Sequence, residues 1–137
     1  ARTALVSVLE QLNPDDRFAV VSFSTGVRPY PDGLTPASGR AEAIAWAKRL
    51  VAEGGTDINR ALLEAFATVE GDRPTTVIFL TDGLPTEGET DIPDIMENAE
   101  DSAPDNVRLF AFGVGDDVDT LLLDGLAEDH RGRSFYV

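Results

Sequence analysis

The sequence predicts an α/β domain: a three-layer, doubly wound, mostly parallel sheet with one short antiparallel edge strand. Three observations predict it. Short runs rich in β-branched and aromatic residues alternate with longer segments whose apolar residues recur at helical spacing. Two of the short runs, Phe18–Phe23 and Val77–Leu80, are apolar almost throughout, as in strands covered on both faces. The segment 27–36 carries three prolines, which a central strand could not hold and an edge strand can.

Taken in order, residues 2–12 place Ala4, Leu5, Val8, Leu9 and Leu12 on one helical face, and Asn13-Pro14 stops the helix. Residues 17–24 read as a strand, and 27–36 as the short edge strand followed by a loop. Residues 39–54 read as a helix with Ala43, Trp46, Ala47 and Leu50 on one face, closed by Gly54-Gly55. A second amphipathic helix spans 58–70, with Thr56 or Asp57 as its N-cap. Strand 75–80 follows, then a more polar helix over 91–103 with Pro93 in its first turn. Strand 106–115, a helix over 119–130 weakened by Gly125, and a last strand over 133–137 complete the series. No repeat, linker or low-complexity segment interrupts it, so 1–137 is expected to be a single domain. The chain opens with a helix, whereas a doubly wound domain normally opens with a strand in the middle of its sheet.

Of 137 residues, 42% are apolar, enough for an ordinary core, and no apolar run approaches the length of a membrane span. There is no cysteine, which excludes disulfides, thiol chemistry and the best ligands of structural zinc. Twenty-five acids face eleven Lys and Arg, a net charge of −14. Such a surface repels nucleic acid and anionic membrane and favours cations or basic partners.

Ligands of open α/β sheets bind beyond the carboxyl ends of the strands. Four polar clusters map there: Ser22 and Ser24; Gly54-Gly55-Thr56-Asp57; Thr81-Asp82-Gly83; and Gly113 through Asp117. They offer hydroxyls, carboxylates and carbonyls, the hard oxygen donors that suit Mg²⁺, Mn²⁺ or Ca²⁺.

The stretches "RFAVVSFSTGVRPY", "GGTDINRALLEA", "VIFLTDGLPTEGET" and "FAFGVGDDVDTLLLDGLA" resemble a von Willebrand factor type A domain, of the subtype found in inter-alpha-trypsin inhibitor heavy chains and their bacterial relatives. The resemblance covers essentially the whole chain. It implies a divalent cation held in a metal-ion-dependent adhesion site by three arms. Two of them fall on Thr56 and Asp82. The third, an Asp-x-Ser-x-Ser motif after the family's first strand, has no counterpart in residues 1–137. The resemblance therefore implies a domain without its first central strand, whose place lies between 17–24 and 75–80. Upstream residues of a longer protein, or another chain, would supply that strand, and without it Mg²⁺, Mn²⁺ or Ca²⁺ should bind poorly.

The function implied is a non-enzymatic module that captures a protein or extracellular-matrix ligand presenting a carboxylate to the metal, within a larger secreted or cell-envelope protein. No nucleic acid and no direct membrane insertion are expected. Two alternatives stand beside it: a metal-free scaffold that binds through surface loops, and a metal-assisted phosphohydrolase. The second needs a nucleophile or base near Asp82, and no candidate is visible.

Around the two ligands, Ser24, Gly55, Asp57, Gly83 and Glu87 are expected at the rim, with Asp57 more often a cap than a ligand. Glu89 is expected in a solvated loop. Asp116 and Asp117 read as loop or helix-start acids, and Gly113 and Gly115 as too weak a pattern for a phosphate loop beside so many acids. Trp46 and Phe66 read as core. His130, at a polar helix end, is expected to be exposed.

Overall fold

Alternation along one strand sets the main core. A computed structural model describes residues 2–51 and 54–137, except the side chains of residues 31 and 32. In β4 (Val107–Gly113), Val107, Leu109 and Ala111 are buried while Arg108, Phe110 and Phe112 point to the opposite face. The buried set packs against α3 (Ile58–Thr68), α4 (Ile92–Ser102) and α5 (Thr120–Asp129) through Leu62, Phe66, Ile95 and Leu126. Each such side chain contributes roughly 1.5–3 kcal/mol by leaving water. Three parallel strands, β3 (Thr75–Thr81), β4 and β5 (Ser134–Tyr136), make this sheet in that order, with Thr75 opposite Val107 and Ala111 opposite Ser134. The second face is only partly covered: Ile78 is 40% and Phe135 43% exposed.

A separate antiparallel pair, β1 (Arg17–Phe23) and β2 (Val27–Pro36), packs with α1 (Arg2–Glu10) and α2 (Arg40–Lys48) around Leu9, Phe18, Val20 and Ala43. Trp46 stacks on Tyr30 with ring centroids 4.7 Å apart, half-buried in this smaller cluster, and Phe66 is buried in the larger one.

Three expectations need correction. The edge strand is not short: all ten residues of 27–36 are strand. Pro29 pairs with Val21 and Pro36 with Arg17, and among the described residues β2 has no neighbour on its other side, so the missing N–H groups disrupt no ladder. The register shifts between Phe18 and Val20 to absorb the irregularity. The helix expected over 39–54 ends at Lys48, with Arg49 as its C-cap; residues 52 and 53 lie outside the described residues. His130 is buried, 7% exposed, and packs against Phe66 at 5.7 Å between ring centroids. The polar residues around it in sequence hide that it closes α5 over the core. Gly125 does sit within α5, where a Cβ would collide with the end of the Met96 side chain.

Among the described residues no strand pairing joins the two sheets. β1 and β3 each have one paired neighbour, and their open edges line a cleft of about 680 Å³. They run in the same direction. The Arg73 guanidinium donates to the Asp15 carbonyl at 2.8 Å by their amino ends, and Phe23 stacks on Phe79 at 5.4 Å toward their carboxyl ends. One wall is α1 with the turn after it, through Leu5, Val8 and Leu12; the other is α3, through Ala61, Leu62 and Ala65. The cleft lies between 17–24 and 75–80, the place where the family resemblance implies a further central strand. No helix among the described residues is long and apolar enough to cross a membrane.

Candidate functional site

Three loops meet at the carboxyl mouth of the cleft: 24–26 after β1, 54–57 before α3, and 82–88 after β3. The middle loop bridges the other two. The Gly55 amide donates to the Thr25 hydroxyl at 2.9 Å, and the Asp57 amide to the Ser24 carbonyl at 2.9 Å. On the other side, the Thr56 amide donates to the Thr86 hydroxyl at 2.9 Å. The Thr56 carbonyl in turn accepts from the amides of Thr86 at 3.0 Å and Glu87 at 3.2 Å.

Asp57 is the N-cap of α3. Its Oδ1 accepts from the Arg60 amide at 3.0 Å, which satisfies one of the donors left free at a helix start. It is buried, because Gly88 passes directly over it. Gly88 sits at φ +64, and a Cβ there would lie 2.6 Å from the carboxylate. Only glycine takes that backbone conformation and leaves that space.

Thr56 and Asp82 both line the mouth of the cleft, beside Gly54, Gly55 and Thr81. A Cβ on Gly83 would lie 3.3 Å from the Thr56 hydroxyl oxygen, so the loop carrying Asp82 runs next to it. The Thr81 hydroxyl both accepts from the Gly83 amide and faces the Gly83 carbonyl at 3.3 Å, holding the turn that presents Asp82 to solvent. Glu87 folds over Gly55: a Cβ on that glycine would meet Glu87 Oε1 at 2.7 Å. Of the rim residues named from sequence, Gly55, Gly83 and Glu87 therefore gather at Thr56 by side chain or by the space they leave. Ser24 takes part through its backbone, and Asp57 faces its own helix. Ser22 lies within β1, where its hydroxyl donates to the Arg28 carbonyl at 3.4 Å.

A hydroxyl and a carboxylate at one mouth are oxygen donors of the kind that hard divalent cations take. Among the described residues no group of three Asp, Glu, His or Cys side chains converges on one point.

The other sequence candidates are engaged elsewhere. Glu89 accepts the Asp91 amide at 3.0 Å. Asp116 and Asp117 are exposed, and Asp119 caps α5 by accepting from the Leu122 amide at 2.9 Å. The Gly115 amide donates to the Val137 carbonyl at 3.0 Å, so that loop presents no free row of amides to a phosphate. Sequence reading missed Thr25 and Thr86, because a loop threonine carries no signal of which amide it will meet. It also missed Asp124. The hydroxyls of Ser134 and Tyr136 both donate to its Oδ1 and hold that carboxyl below its ordinary range, while burial first and Asp124 second push the Tyr136 phenol up.

The family model for the von Willebrand factor type A domain matches residues 1–135. The chain is 34% identical to inter-alpha-trypsin inhibitor heavy chain H2 of Mus musculus, over 94% of this chain and 15% of that protein. It is 35% identical to heavy chain H4 of Bos taurus, over 96% of this chain and 16% of that protein. The chain thus spans about 15% of the length of such relatives. Its fold is similar to that of a von Willebrand factor type A structure from Catenulispora acidiphila, with TM-score 0.86 and 28% identity over 99% of this chain and 33% of that one. It also resembles proximal thread matrix protein 1 of the mussel byssus, in a structure with a zinc-occupied MIDAS motif. There the TM-score is 0.74 at 18% identity, over 98% of this chain and 37% of that one.

Proposed function

Because the chain belongs to the von Willebrand factor type A family, of the inter-alpha-trypsin inhibitor heavy-chain type, we propose that it is a non-enzymatic binding module that engages a protein or matrix partner through a divalent cation. The observation that carries this reading is the meeting of Thr56 and Asp82 at the mouth of the cleft, with Gly83 leaving room beside the Thr56 hydroxyl. Bound there, a cation such as Mg²⁺ or Mn²⁺ supplies a positive centre with an open position that a partner's carboxylate fills. Thr56 contributes a neutral oxygen and Asp82 one charge, so the ion keeps net positive charge to offer. The zinc-occupied motif of the byssus protein gives a precedent at the level of the fold.

The remaining oxygens come from a segment that enters the cleft. The open edges of β1 and β3 present backbone donors and acceptors that an extended segment parallel to both would pair, and such groups are costly to leave buried and unpaired. Side chains alternating along that segment would meet Leu5 and Val8 of α1 and Leu12 just beyond it on one side, and Ala61, Leu62 and Ala65 of α3 on the other. We assign that segment to upstream residues of the longer protein, with another chain as the alternative source. The setting is a larger secreted or cell-envelope protein.

Calorimetric titration with Mn²⁺ tests the reading. The full-length protein should bind with an affinity that Asp82→Ala and Thr56→Ala each weaken at least tenfold, and residues 1–137 alone should bind poorly. Full-length protein that takes up no Mn²⁺ at millimolar concentration would leave the metal-free scaffold, while turnover of a phosphate ester abolished by Asp82→Ala would favour the enzyme.

A further inference from the structure

The loop that carries Thr56 is held by bonds from two other loops. It lies between helices, with Gly54 at φ +63 and Gly55 next to it, so the residues just before Thr56 impose little on its direction. Its position is set from outside. The Thr56 carbonyl and the Asp57 amide are fixed by main-chain bonds to Thr86, Glu87 and Ser24, which most residues could supply. The Gly55 and Thr56 amides are held differently, each by a threonine hydroxyl from another loop, at 2.9 Å in both cases.

From this we infer that Thr25 and Thr86 are positioning residues for the Thr56 hydroxyl, an assignment that rests on the metal-site reading above. The two side chains act from opposite sides of the cleft. Thr25 follows β1, in the antiparallel pair, and Thr86 follows β3, in the parallel sheet. Together they suspend the 54–57 loop across the mouth. The contacts are close on both sides. A Cβ on Gly55 would lie 2.9 Å from the Thr86 hydroxyl, and one on Gly54 would collide with that of Thr25. The backbone amides of Gly55 and Thr56 are thereby taken up, and the Thr56 side chain is left to point at the turn carrying Asp82.

Neither threonine serves the core. Both are exposed and neither packs in a hydrophobic cluster, so the melting temperature should depend little on their hydroxyls. What those hydroxyls supply is orientation, and loss of a hydrogen bond that orients a metal ligand typically weakens metal affinity by about 10–100-fold.

The test is Mn²⁺ titration of the native full-length protein, with the melting temperature of each metal-free variant alongside. Thr25→Val and Thr86→Val keep the shape and remove the acceptor; Thr25→Ser and Thr86→Ser keep the acceptor. Each valine variant should bind Mn²⁺ about tenfold more weakly with a melting temperature within about 2 °C of wild type, and each serine variant should bind within about twofold of wild type. If Thr56→Ala loses binding while both valine variants bind as wild type does, the positioning assignment is wrong and the metal site stands. If a valine variant loses its melting transition, the hydroxyl is a folding element and the assignment is equally wrong. Wild-type protein that binds no Mn²⁺ removes both.

Discussion

His130 shows what a single misjudged side chain means for behaviour in solution. Its Nε2 is buried with no hydrogen-bond partner among the described residues, and burial holds its pKa below the ordinary value of 6.5. Asp129 and Glu100 pull the other way and Arg131 adds to the depression, but desolvation dominates. The sign follows directly. As pH falls below about 6.5 the unfolded chain takes up a proton on this residue before the folded one does. The stability linked to neutral His130 is present above that pH and is lost as pH falls toward and through the lower folded value. Replacing the ring by an apolar group removes both the orphaned nitrogen and the titration. His130→Leu should therefore be at least as stable as wild type at pH 7.5, and its urea midpoint should fall less between pH 7 and 5.5. Equal falls in the two proteins would mean that His130 is not the group responsible. Thr56 and Asp82 stand in motifs whose order and residue types point to oxygen coordination before any coordinates are known. Thr25 and Thr86 do not, since their role depends on which amides lie opposite them across two loops.

At the scale of elements, the turn from α5 into β5 depends on one glycine. The Gly132 amide donates to the Ala127 carbonyl at 2.8 Å, and the flanking residues already pair with β4: the Leu109 amide donates to the His130 carbonyl at 3.1 Å and the Ala111 amide to that of Arg133 at 3.0 Å. A Cβ on Gly132 would collide with the Leu109 carbonyl oxygen, which belongs to the backbone of a fully buried residue and cannot swing aside. Gly132→Ala should cost about 2–4 kcal/mol in urea unfolding, among the largest effects expected of an added methyl group. A cost below about 1 kcal/mol would show that the chain relaxes here more easily than its ladder suggests. Period and composition placed the α-helices and strands, though not the short 3-10 turn at Ala37–Gly39, because apolar spacing is a local property. Extents were less legible. The residues of β2 look like a loop by their prolines, and only its place at the edge of a pair makes ten residues of strand tolerable. The separation of β1 from β3 is different again. It came from the resemblance to a family whose sheet has a further strand, since each strand by itself reads as a covered one.

For the whole molecule the governing quantity is charge. A net charge of −14 on 137 residues is poorly compensated in the fold: among the described residues the one ion pair is Arg17 with Glu70 at 3.7 Å, exposed and worth little. Much of the acid load therefore repels itself across the surface, and that repulsion is screened within about 10 Å at 0.1 M salt. Raising NaCl from 20 to 500 mM should lift the melting temperature by several degrees, as monovalent ions screen the field without needing a site. A divalent cation would do this and one thing more. If Mg²⁺ also occupies the mouth of the cleft, full-length protein at matched ionic strength should gain a further increment that grows as RT ln(1 + [Mg²⁺]/Kd), about 1.4 kcal/mol at ten times Kd. Asp82→Ala should lose that increment and keep the screening gain, because removing one of 25 acids hardly changes the overall field. Residues 1–137 alone, with the cleft between β1 and β3 open, should show the screening gain and little else. Mg²⁺ and NaCl acting alike at equal ionic strength on all three proteins would place the effect of divalent ions in the general field of the acids, and leave the Thr56 and Asp82 oxygens without a cation to hold.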